Sequence, residues 1–164
     1  MFSSLSPFTK LHVVISLIGI VSGLVVMLGL LAGQKLNRWT ALFLISTVAA
    51  SVTGFFFPFH GVTPAIVVGI ISLVLLAIAI VARYLRHLVG AWRWIYVVTA
   101  MISLYLNVFV LVVQLFQKVP ALKALAPTQS EPPFAVTQLV VLALFVVLTI
   151  IAAIKFRGEQ LRTV

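Results

Sequence analysis

Few groups in this 164-residue chain are able to do chemistry: two acids, three histidines and eleven Lys or Arg. A catalytic carboxylate could only be Glu131 or Glu159, and no nucleophile–base–acid set appears around either. Cysteine is absent, which removes disulfides, thiolate metal sites, iron–sulfur ligation and thiol redox relays. There is no P-loop or dinucleotide fingerprint. His12 and His60 fall near one face, where a pair, with or without Glu131, would bind a transition metal or ligate a haem. No local His-x₃-His spacing supports this, so interfacial hydrogen bonding is the plainer expectation and no cofactor is required. A pH-sensitive role is the remaining option. His87 sits among Arg83–Arg93, on the opposite face.

Two polar groupings stand out. Tyr96, Ser103, Asn107 and Gln114 are spaced 7, 4 and 7 residues apart in one apolar run. At 100° per residue they lie within roughly 40° of one another, with Thr99 and Gln117 on the flank. Such a stripe in lipid faces other helices or a hydrated cavity, so it is either interhelical glue or a ligand slot. The second grouping is Leu125–Phe134, where Thr128, Gln129, Ser130 and Glu131 stand between prolines. Glu131 either caps the helix that follows, near its positive end, or folds with Gln129 and Ser130 over the mouth of the bundle to bind something.

The elements that position these residues follow from composition. The chain is 63% hydrophobic and 8% charged, with a mean hydropathy of +1.30. A soluble domain carries about 25% charged residues. Soluble enzymes, nucleic-acid binders and disordered regulators are therefore excluded, although the net charge is +9. Five runs have bilayer-spanning length: 11–33, 39–59, 62–82, 94–117 and 134–154. The expectation is an all-α integral membrane protein, a single five-helix transmembrane domain with an ordered outer loop over 118–133. The first run is longer than a signal-peptide core and lacks a clear cleavage site, so it reads as a retained helix.

Basic residues set the orientation. Lys10, Lys118 and Lys123 fall on one side, and Lys35, Arg38, Arg83, Arg86, Arg93, Lys155, Arg157 and Arg162 on the other. The asymmetry puts the N-terminus outside and the C-terminus in the cytoplasm. All seven prolines then lie at the outer face. Small residues recur at packing spacing: Gly19 with Gly23, Gly29 with Gly33, Ser46 with Ala50 and Gly54, and Ala65 with Gly69. Their partners are helices of this chain or of another copy. No span carries a mid-membrane charge, which argues against proton pumps and ion-coupled transporters.

The function expected is that of a small non-enzymatic protein of a bacterial inner membrane. It would bind or pass a small neutral or lipophilic ligand at an outer mouth built from His12, His60, Gln129–Glu131 and the stripe. The alternative is a structural or assembly subunit, a homo-oligomer or a partner of another membrane protein. A haem- or metal-binding electron carrier comes third.

Overall fold

The computed structural model describes residues 6–58, 61 and 63–156, and every regular element among them is helical. Helix α1 is Pro7–Leu31. It starts earlier than the hydropathy pattern predicts because Ser6 caps it, its hydroxyl accepting from the Thr9 N–H at 3.2 Å, and Pro7 occupies the first turn. It also ends earlier. The N–H of Gln34 donates to the Gly29 carbonyl and that of Gly33 to the Leu30 carbonyl, with Gly33 at φ +71°. This is a Schellman stop, which needs the left-handed conformation that glycine adopts freely. Gly33 is thus a helix terminator, and a Cβ there would also stand only 3.3 Å from the carbonyl of Lys155 at the end of α6.

Helix α2 is Asn37–Gly54. It stops short of the predicted Phe59, since Thr53 and Gly54 are weak helix formers and Pro58 bars continuation. Helix α3, Pro64–Ile80, is capped by the Thr63 hydroxyl and runs into a π-helical turn, Val81–Leu85. Helix α4 is Trp92–Lys118, α5 is the short Pro120–Leu125, and α6 is Pro132–Lys155. The start of the predicted third span, Val62, lies outside the described residues, as do His60, Arg157, Glu159 and Arg162.

Four of these helices are long and apolar enough to cross a membrane: α1, α3 with its π turn, α4 and α6. The second predicted run, 39–59, which forms α2, is not among them, because the 18 residues of that helix include Asn37, Arg38 and five Ser or Thr. It nevertheless runs antiparallel to the whole of α1. Leu36 packs at Gly29, Phe43 at Gly23 and Thr47 at Gly19, and at the far end His12 meets Thr53. Helix α4 is the central element, packed against α1, α3 and α6. Its buried side chains Tyr96, Val97, Ala100, Met101 and Leu104 form the main core with Leu30, Phe43 and Leu76. Ring contacts join α4 to α6 along its length: Phe116 to Phe134 (5.4 Å), Tyr105 to Phe145 (5.7 Å) and Tyr96 to Phe156 (6.1 Å).

Candidate functional site

The polar stripe of α4 touches a second one on α2 at two points, with Gly19 of α1 facing one of them. Tyr96 and Ser103 are fully buried. The Tyr96 hydroxyl points at Thr40 Oγ1 over a long 3.5 Å, and Asn107 Nδ2 donates to Thr47 Oγ1 at 3.2 Å. Thr40 and Thr47 are themselves buried and seven residues apart, whereas their partners Tyr96 and Asn107 are eleven apart.

The hydroxyls of the seam mostly serve their own helices. Ser22 donates to Ile18, Ser46 to Leu42, Thr99 to Ile95 and Ser103 to Thr99, each to the carbonyl four residues back. The middle of the seam is closed. A Cβ on Gly23 would stand 2.5 Å from Leu104 and 2.9 Å from Phe43. Gly19 faces Thr47, Ser46 and Asn107, Gly29 faces Leu36, and Gly69 faces Phe55, whereas Gly54 has only His12 at an ordinary 3.8 Å. Ala50 is buried as well. These small residues therefore meet neighbours in their own chain.

At the end nearer His12 the seam changes character. His12 Nδ1 lies 2.8 Å from Thr53 Oγ1, and its ring packs edge-on to Phe57. The Thr53 hydroxyl donates to the Ala49 carbonyl at 2.7 Å, so the imidazole must donate to it. In the neutral ring this leaves Nε2 as an acceptor. The α1–α4 register, Gly19 to Asn107 and Gly23 to Leu104, puts Gln114 level with His12. Gln114 Oε1 is buried without a hydrogen-bond donor. Gln138 on α6 is similar: its amide donates to the Phe109 carbonyl at 3.3 Å while its Oε1 has no donor.

The connection from α4 to α6 closes over this end. Ala126 is fully buried against Val112 and Phe116, with Leu122 and Phe134 beside them. Gln129, held at φ +61°, donates to the Val113 carbonyl at 2.9 Å and accepts from Gln117 at 3.2 Å. It is thereby brought within a turn of Gln114. Ser130 and Glu131 are not. The Glu131 carboxylate turns back to accept from the Thr128 N–H and hydroxyl and from the Ser130 N–H. Desolvation pushes its carboxyl up, but these hydrogen bonds together hold it below the usual carboxylate range. It precedes α6 at the N-cap position yet makes no side-chain cap bond. No group of three or more His, Cys, Asp or Glu that could hold a metal occurs among the described residues.

The opposite end holds a group that nothing in the linear pattern separates from ordinary anchoring. Arg83, in the π turn, is only 7% exposed. It donates to Asn37 Oδ1 at 2.6 Å and lies 5.1 Å from the centre of the Tyr96 ring. A linear pattern of one arginine after an apolar run does not distinguish a buried guanidinium from one that reaches into water.

These features define an all-helical class, with four helices long and apolar enough to cross a membrane and a polar seam packed inside. No family model, curated protein or solved structure matches the chain.

Proposed function

We propose that this is a five-span, non-enzymatic protein of a bacterial inner membrane, N-terminus outside, holding a small neutral or lipophilic ligand at its outer mouth. Five crossings are supported by the Asn37–Arg83 bond, which joins the start of α2 to the end of α3. They are supported too by the pairing of α2 with both ends of α1. The orientation rests on the basic residues, which collect at the Arg83 end.

The observation that carries the ligand reading is the buried, donor-less Gln114 Oε1 level with His12. A buried carbonyl left unpaired costs about 1–3 kcal/mol. A ligand hydroxyl or amine donating to it would offset that cost, and its apolar body would suit the surroundings. The tight crossing at Gly23 favours holding a ligand over passing it across the membrane. The test is organic extraction of protein purified from membranes in mild detergent, followed by mass spectrometry. A donor-bearing compound should be enriched with the unmodified protein and with Val110→Leu, and lost from Gln114→Leu. Identical extracts from all three would refute the reading.

A further inference from the structure

The Arg83 end of the bundle has an arrangement that anchoring does not require. Arg83 lies over Tyr96, and Arg86, three residues on, lies over Trp92 at 5.0 Å. Tyr96 and Trp92 are one turn apart on α4, with Arg93 between them. Two guanidinium groups thus lie against the first five residues of α4, and a third, that of Arg93, belongs to its first turn. That is the positive end of a 27-residue helix, where acidic side chains are ordinarily favoured, and its first turn contains none. Its N-cap, Ala91, makes no side-chain bond. Arg93 Nε is buried without an acceptor. The backbone between Arg86 and Trp92 passes through His87 at φ +49° and Leu88 at φ +60°, a conformation that non-glycine residues rarely adopt. Among the described residues the one acid is Glu131, at the other end of the bundle.

We propose that Arg83, Arg86 and Arg93 form a clamp for the phosphate of an anionic phospholipid headgroup. The clamp rests on the reading that these helices cross a membrane, and it holds for either orientation. The apolar length of α3 runs directly into Arg83, so the three groups stand where a bilayer's phosphates lie. Guanidinium matches phosphate geometry through paired N–H donors. Tyr96 and Asn37 hold Arg83 in place before any ligand arrives, and Trp92 does the same for Arg86. A phosphate here lowers the mutual repulsion of the three cations and faces the positive helix terminus as well.

Thermal unfolding of the full chain in detergent tests the clamp, with phosphatidylglycerol, phosphatidylcholine of the same acyl chains, or inorganic phosphate added. At about a hundred times its dissociation constant, phosphatidylglycerol should raise the midpoint by about 5–10 °C. Phosphatidylcholine and inorganic phosphate should not. The increment, rather than the starting midpoint, is the readout, so a variant that is merely less stable still reports. Arg86→Gln and Arg93→Gln should lose the increment, and Arg38→Gln, an exposed cation at the same end, should keep it. Equal loss in all three would mean diffuse charge attraction and overturn the clamp. An equal rise with inorganic phosphate would overturn the lipid as its source. An increment seen only in Glu159→Gln would make that carboxylate the occupant and overturn it as well. Failure of the five-span reading shows separately, in the labelling described below.

Discussion

Gly23 is the residue at which α1, α2 and α4 approach most closely, and it cannot yield. Leu104 and Phe43, the atoms a Cβ would strike, are each about 1% exposed and have nowhere to move. Gly23→Ala should therefore cost about 1–3 kcal/mol, the usual range for overpacking. Gly54→Ala, with its nearest neighbour at 3.8 Å, should be neutral or gain about 0.5–1 kcal/mol from helix propensity. Unfolding in detergent measures both, and equal effects would contradict the packing described. Glu131 makes a second prediction at this scale. Its carboxyl is lowered in the folded chain, so its stabilising effect is complete above the ordinary carboxylate range. The effect is lost as pH falls through the lowered value. The protection of the Thr128 and Ser130 amides, their exchange rates relative to an unstructured peptide at the same pH, should be lower below that range than at neutral pH. Glu131→Gln should flatten the dependence, and a profile unchanged by that substitution would assign it elsewhere.

Among the elements, the α4–α6 connection depends on one side chain. Gln129 uses both ends of its amide on α4, from a left-handed backbone conformation. Gln129→Ala should speed exchange at Ala126 and Thr128 by about thirtyfold, since two hydrogen bonds worth roughly 1 kcal/mol each are lost. Rates unchanged from the parent would mean that burial of Ala126 alone orders the segment. How far such elements could be read in advance varied with the physics behind them. Proline at N1, apolar length and the Thr63 cap are local signals, and they located α1, α3, α4 and α6 to within a few residues. The end of α2 was misjudged because hydropathy continues through Phe55–Phe57 while helix propensity does not. The π turn and the burial of Arg83 left no local trace, for both depend on which helices become neighbours. The stripe on α4 was readable, but its partner stripe on α2 went unnoticed. The link between Gln129 and Val113 is tertiary and had no sequence signature.

For the whole molecule, the absence of cysteine makes single introduced thiols unambiguous reporters. If α2 crosses, Gln34 and Val89 share a face, and Lys123 lies on the other. In intact cells an impermeant reagent should label Lys123→Cys, and Gln34→Cys and Val89→Cys only after lysis. Labelling of Gln34 and Val89 from opposite sides would reduce the crossings to four. Labelling of both in intact cells with Lys123 protected would reverse the orientation.

The division between hydroxyls and amides in the seam bears on biosynthesis. Ser22, Ser46, Thr99, Thr137 and Thr149 donate within their own helices, so a single helix leaving the ribosome can enter lipid with those protons already placed. Asn107, Arg83 and Gln138 cannot, because each donates to a group on another helix. In every one of these three pairs the acceptor is earlier in the chain: Thr47 for Asn107, Asn37 for Arg83, and Phe109 for Gln138. Vectorial synthesis thus presents each demanding donor to a helix that already exists, and no pair has to wait for a later segment. His12 and Gln117 run the other way, donating forward to Thr53 and Gln129, and the first of these makes the α1–α2 hairpin the natural first unit to leave the insertion machinery together.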